Sequence, residues 1–263
     1  MDRERFFEGV RSYKMLAKHE VGQNFLVDSD VAKRIVDALG IKPGERVVEI
    51  GSGAGSLTFF LAESEGQVDA IDIDEALLAK VQGELGDAVN VTYGNGVKWD
   101  YSPYDRIIGN LPYYITTLLV ERALLSGVNA KTMVFMVQKE AGERLLASPG
   151  TKDYGPLPIL ISLLCDAKRA FAVHRNCFVP APHVDSAVLT FAMRENRDAD
   201  IAKAYKLSQA LFLQRRKTLF NNLKNHTHDA GKARAMLSGL GLSDTARPEE
   251  VAPEKYLALA KLL

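Results

Sequence analysis

Arg46-Val47-Val48-Glu49-Ile50 is a short, apolar, β-branched run. Gly51-Ser52-Gly53-Ala54-Gly55 follows it directly, and then a segment with Leu57, Phe59, Phe60 and Leu61 at helical spacing. A buried strand, a glycine loop and a helix in that order form the first unit of a doubly wound α/β sheet. The glycines let the backbone turn sharply and approach a ligand closely. This arrangement fixes where a ligand should sit, at the strand ends beside the loop. It leaves the kind of ligand open, since such a loop can also serve no ligand at all.

The next units narrow the choice. Val68-Asp69-Ala70-Ile71-Asp72-Ile73-Asp74 reads as a second strand that ends in acids. Asp72 is a candidate for the two ribose hydroxyls of a bound nucleoside, and Asp74 for the cap of the helix Glu75 to Leu85. A third strand, from Val89 to Tyr93, ends at Gly94-Asn95-Gly96. The Asn95 side chain can accept from an adenine amino group, or it can simply make a turn, since Asn-Gly is a turn signal. Gly51, Gly53 and Gly55 lack the later glycine that fits a dinucleotide pyrophosphate to the helix start. Between Glu45 and Asp105 there are twelve acids and three bases before Arg106. That excess suits a cationic sulfonium better than a diphosphate, so S-adenosylmethionine (SAM) is preferred over NAD.

Ile107-Ile108-Gly109 runs into Asn110-Leu111-Pro112-Tyr113, and a helix-like segment begins at Thr116. Pro112 fixes φ and removes a donor, which lets the Leu111 carbonyl face outward. The Asn110 side-chain oxygen and that carbonyl can together hold one exocyclic amino group, with Tyr113 flat against the ring that carries it. The plain alternative is a proline turn with a capping Asn and a packed Tyr. Thr132 to Val137 is another buried strand. Ala167 to Val173 and Ser186 to Met193 are the last two, expected antiparallel. Between them lies the Pro-stiffened loop Phe178 to Asp185. Phe178 is core filler or a second ring that faces Tyr113 across a base.

After Glu195 the pattern turns to helices. Ala202 to Leu223 reads as one helix carrying Gln214-Arg215-Arg216-Lys217, and Ile201 to Asn225 holds six bases and no acid. A net charge of +0 thus hides an acidic half and a basic segment, either a solvated helix face or a nucleic-acid footprint. A domain boundary is expected near Asn196-Arg197-Asp198, giving 1–195 and 196–263. Residues up to about Ala17 show no clear period, and Gly22 to Asp28 reads as a lead-in to the helix with Val31, Ile35, Val36 and Leu39. The two cysteines and five histidines have no metal-like spacing, so no metal is expected. The charged N-terminus and the lack of a long apolar run predict a cytoplasmic protein without membrane contact. A monomer is the default.

Four separated pieces agree with one another: Gly22-Gln23-Asn24-Phe25-Leu26, Glu49 to Gly55, Asn110 to Ile115, and Phe178 to Val188. With Gln214-Arg215-Arg216-Lys217-Thr218-Leu219 as a fifth, the chain resembles the small-subunit ribosomal RNA adenine dimethyltransferase family over nearly its whole length. The resemblance implies a Rossmann-like SAM-dependent methyltransferase fold with a mostly parallel seven-stranded sheet, last strand antiparallel, and a small all-α C-terminal domain. It implies dimethylation of N6 on two adjacent adenosines in a hairpin loop near the 3′ end of 16S rRNA. The partner would be that rRNA in the immature small subunit, with a role in its biogenesis. Asn24, Leu26, Gly51, Gly53, Asp72, Asn95 and Asn110 would bind SAM, Asn110 to Tyr113 would be catalytic, Tyr113 and Phe178 would stack on the base, and Arg215, Arg216 and Lys217 would bind RNA. Three positions depart from the family pattern: Asp72 where Glu is commoner, Asn95 where Asp is usual, and Ser52 where Pro is more frequent. A different amino-group substrate, a docking factor and a dehydrogenase are the rival readings; a methyl-transfer assay separates them.

Overall fold

The computed structural model describes residues 2–12, 23–195 and 197–263. Gly22, the stretch around Ala17 and Asn196 lie outside the described residues. The elements in order are α1 (Arg3–Ser12), β1 (Phe25–Leu26), α2 (Ser29–Asp37), β2 (Arg46–Ile50), α3 (Ser56–Ala62), β3 (Gln67–Asp72), α4 (Glu75–Leu85), β4 (Asn90–Tyr93) and β5 (Arg106–Asn110). Then come α5 (Thr116–Ser126), β6 (Thr132–Gln138), α6 (Lys139–Leu145), α7 (Pro156–Leu164), β7 (Cys165–Val173), β8 (Phe178–Val179) and β9 (Ser186–Met193). Last are α8 (Ile201–Phe212), α9 (Leu219–Thr227), α10 (Ala230–Gly239) and α11 (Pro253–Leu262).

Among the described residues, seven strands form one sheet in the order β4-β3-β2-β5-β6-β9-β7. β2, β3, β4, β5 and β6 pair in parallel, and β9 runs antiparallel to β6 with Val134 opposite Thr190. The order reverses direction between β2 and β5, where two neighbouring chains leave for opposite sides and open a crevice. The central strands are apolar on both faces because helices cover both: Val47, Val48, Ile107, Ile108 and Met133 to Val137 are all buried. Asp28 starts α2 by accepting from the N–H groups of Asp30 and Val31, and Asp74 does the same for α4 with Ala76 and Leu77.

The N-terminal residues are helical, contrary to the reading from the sequence. Phe6, Phe7 and Val10 form an apolar stripe on α1, hidden among Arg and Glu, and pack on Phe59 and Phe60 of α3. The lead-in to α2 contains β1, which pairs with β8, Leu26 opposite Phe178.

The chain divides into two compact units, Met1–Gly142 with Ala167–Met193, and Glu143–Asp166 with Arg194–Leu263. The second therefore takes in more than the tail. Leu157, Ile159, Leu160, Ile161, Leu163 and Leu164 are buried all around α7, which packs on α8 and α11. The Arg194 N–H donates to the Leu164 carbonyl.

The single helix expected from Ala202 to Leu223 is two. α8 stops at Phe212, and the basic run lies in the turn before α9. Asn222 Nδ2 donates to the Leu211 and Gln214 carbonyls and so satisfies acceptors at the helix end. The Thr218 hydroxyl accepts from the Asn221 N–H and starts the next helix.

Candidate active site

A cavity of about 350 Å³ opens in the first unit at the carboxyl ends of β2, β3 and β5. That volume falls within the usual range for a small-molecule site. Asn24, Leu26, Gly51, Gly53, Asp72, Asn95, Asn110, Leu111, Pro112 and Tyr113, which are dispersed in sequence, all line it.

The glycine loop is built as the spacing requires. Gly51, Gly53 and Gly55 have φ of 71°, 53° and 85°, the left-handed region that a side chain would strain. Asp72 holds this loop: its Oδ2 accepts from the Gly53 N–H at 2.8 Å and its Oδ1 from the Asp74 N–H at 2.9 Å. Burial raises the Asp72 pKa, and the N–H groups of Gly53, Asp74 and Ile73 oppose the rise. Glu49, one strand away and also in the cavity wall, is pushed up to about 8 by burial, against the Thr58 hydroxyl that donates to it at 2.6 Å. It stays largely protonated at neutral pH, so the acid excess in this half does not translate into charge at this point.

Asn95 sits on a loop with no room to shift. A Cβ on Gly94 would meet the Trp99 ring at 2.7 Å, and one on Gly96 would meet Ile50 and Leu119 at 2.9 Å. The Asn95 Oδ1 accepts from the Val97 N–H at 3.0 Å, which is the turn role, yet the residue also lines the cavity. A carbonyl oxygen has a second lone pair for a ligand.

The tetrapeptide is clamped on every side. Asn110 Nδ2 donates to the Asn24 carbonyl at 3.4 Å, which leaves Oδ1 as the free end of the amide. The Leu111 N–H donates to the Met136 carbonyl at 3.0 Å, and the Leu111 carbonyl lies outside that ladder. Tyr113 begins a 3₁₀ turn, Tyr113–Ile115, and the Pro112 carbonyl accepts from the Ile115 N–H and the Thr116 hydroxyl. The Tyr113 and Ser186 hydroxyls share a hydrogen bond at 3.0 Å; burial raises the phenol pKa, so the ring stays neutral.

One expected participant is elsewhere. Phe178 is 2% exposed, belongs to the core cluster with Phe25 and Leu26, and does not line the cavity. The two-ring slot of Tyr113 and Phe178 is therefore not formed in this structure. The pairing of β8 with β1 turns that ring inward, so the core-filler alternative describes it. Tyr114 lines the cavity instead. Ser186, Tyr114 and Glu49 were missed as site residues; each adjoins or lies within a motif that had been singled out.

The lining fits SAM by its own chemistry. The Ser52 hydroxyl is buried without a hydrogen-bond partner among the described residues and lines the cavity, so it wants a polar ligand. The Asp72 carboxyl keeps lone pairs for ligand hydroxyls beside the Gly53 and Asp74 N–H groups that it accepts from. Among the described residues no cluster of His, Cys, Asp and Glu could hold a metal, and no helix is long and apolar enough to cross a membrane.

In the second unit, Arg216 and Lys217 are exposed and Arg215 is half-buried, its Nε donating to Glu249 at 3.1 Å. On the first unit Lys168, Arg169 and Arg175 are exposed along β7 and the turn after it.

Comparison with known proteins matches residues 15–263 to a family described as ribosomal RNA adenine dimethylase. The chain is 38% identical to ribosomal RNA small subunit methyltransferase A of Streptococcus sanguinis over 94% of its length and 91% of the relative's. It is 33% identical to the protein of that name from Malacoplasma penetrans, covering 98% and 96%. Among solved structures it is similar to a dimethyladenosine transferase from Plasmodium falciparum (TM-score 0.75, 25% identity, 88% and 94% covered). It is also similar to the 23S rRNA methyltransferase ErmE (TM-score 0.69, 25% identity, 91% and 99% covered).

Proposed function

The chain belongs to the ribosomal RNA adenine dimethylase family, and on that premise we propose that it uses SAM to dimethylate N6 of two adjacent adenosines in a hairpin loop near the 3′ end of 16S rRNA. The substrate is the immature small subunit, and the modification belongs to its biogenesis. The observation that carries this reading is the convergence of Asn110 to Tyr113 with the glycine loop and Asp72 on one cavity.

Asp72 and Asn95 hold the nucleoside half of the cofactor, and the positive-φ glycines leave room for its amino-acid half. When bound, SAM supplies an electrophilic methyl group on a sulfonium that departs as a neutral thioether. The residues must then solve one problem. The adenine N6 lone pair is delocalised into the ring, so N6 is a weak nucleophile. Asn110 Oδ1 and the Leu111 carbonyl accept its two hydrogens, which favours a more tetrahedral nitrogen and aims the lone pair. Tyr113 lies against the ring and fixes its plane. Positioning of this kind supplies most of the catalysis, and no general base is required. Asn110 and the Leu111 carbonyl would hold the amine toward the methyl group that bound SAM would supply, and the N6 proton would leave to solvent.

The adenine must be out of its stack to enter, so loop adenosines suit the slot. Arg216 and Lys217 of the second unit hold phosphates of the RNA backbone, and on the first unit Lys168, Arg169 and Arg175 offer a separate set of cations for the same purpose. A tritiated-methyl transfer assay on undermethylated small subunits, with product mapping and free RNA as control, tests the reading. Label on two adjacent adenosines is the expected result. Binding without label, or label on another nucleotide, overturns it.

A further inference from the structure

We propose that Tyr114 is a positioning residue that stacks on the nucleobase adjoining the target adenine; the inference rests on the RNA-methylation reading above. Three rings line the cavity, and they form a gradient of exposure. Phe25 is buried, Tyr113 is half-buried, and Tyr114 is 59% exposed. Tyr113 is fixed by the Ser186 hydroxyl, so its ring serves the deep slot. Tyr114 is the next residue of the same 3₁₀ turn, about 120° further round, so the two rings cannot share one base.

The turn that presents Tyr114 is closed on one carbonyl. The Ile115 N–H and the Thr116 hydroxyl both donate to the Pro112 carbonyl. Leu118, in the first turn of the helix that follows, is also exposed (51%), so the stretch after the tetrapeptide carries two large apolar side chains in solvent. An exposed aromatic face at a cavity mouth gains from burial against any apolar surface, and a flat base adds the stacking contribution to that gain. When an adenine is drawn out of a strand, its neighbour loses a stacking partner at that moment. A ring at the rim replaces the lost stack and sets the register of the strand. Phe178 is withdrawn into the core, and among the described residues that line the cavity Tyr114 is the exposed ring.

The test uses the full chain with undermethylated small subunits and compares Tyr114→Ala, Tyr114→Leu and Tyr114→Phe. Tyr114→Ala should raise KM for subunits roughly 5- to 150-fold, the span of one base–aromatic stack. SAM affinity, read by calorimetry, should stay within about twofold. Tyr114→Phe should restore most of the lost KM and Tyr114→Leu should not, because Leu supplies apolar area without a stacking face. Equal KM for Tyr114→Ala and the unaltered chain overturns the inference, as does rescue by Leu equal to that by Phe. Absence of label from the unaltered chain is a different result: it sinks the RNA-methylation reading itself, and this inference with it.

Discussion

Asn110 to Tyr113 and Gln214 to Lys217 are both short polar-led stretches that follow an apolar run, and the fold treats them in opposite ways. The first is tied at the Asn110 amide, the Leu111 N–H, the Pro112 carbonyl and the Tyr113 hydroxyl. The second is tied at the Gln214 carbonyl, which accepts from the Lys217 N–H and the Asn222 amide, and by Arg215 to Glu249, while the Arg216 and Lys217 side chains are exposed and Leu213 at its entrance is 84% exposed. The contrast follows the task. Aiming a lone pair needs atoms held to a fraction of an ångström, whereas phosphate capture needs charge in the right region and tolerates motion.

The sharpest way to break this comparison is Asn110→Ala. It should lower methyl transfer at least about 100-fold, the order expected when one preorganised polar group is lost, while SAM binding remains measurable. Near-normal turnover in a transfer assay would show that the clamped stretch is no more than a turn. Next in size is the double change of Arg216 and Lys217 to Ala. Subunit affinity should fall and its slope against log salt should flatten by roughly 1.5 to 2, with SAM binding spared. An unchanged slope would assign the basic turn another job. Asn95→Asp sharpens the fixed side: replacing a neutral acceptor by a charged one should tighten SAM by about fivefold, read as the dissociation constant. A prediction of another kind, on stability and not on transfer or binding, concerns Glu49. Folding raises this carboxyl to about 8, so the folded chain keeps a proton that the unfolded chain gives up above its ordinary 4.5. Stability therefore declines as pH rises through that window and levels off above about 8. Glu49→Gln should flatten the melting temperature across it; an unaltered decline would place the linkage at another group.

The sheet and the cavity wall were legible because they rest on local signals. β-branched runs, the glycine spacing, and Asp28 and Asp74 as caps each act within a few residues. What was missed depends on distant partners. Phe178 turns inward because β8 pairs with residues some 150 positions earlier. The break in the tail helix comes from Asn222 reaching back to Leu211 and Gln214, and Leu, Arg and Lys between them are good helix formers that conceal it. α7 is apolar on all sides, so nothing in its own residues says which unit it joins. α1 was obscured by the opposite trait, charges on both flanks of Phe6, Phe7 and Val10.

The contact from the Asn110 amide nitrogen to the Asn24 carbonyl has a consequence for which base is admitted. A primary amide has a donor end and an acceptor end of nearly equal size, and this contact decides which one looks into the slot. With two oxygens forward, a base edge that carries a keto group at that point meets lone pair with lone pair. On the proposed reading guanine and uracil should therefore be turned away by sign rather than by bulk, which a transfer assay on loops carrying guanosine at the target position checks. One amide–carbonyl contact of 3.4 Å from the segment ahead of β1 would thus act as a polarity lock on the choice of nucleotide.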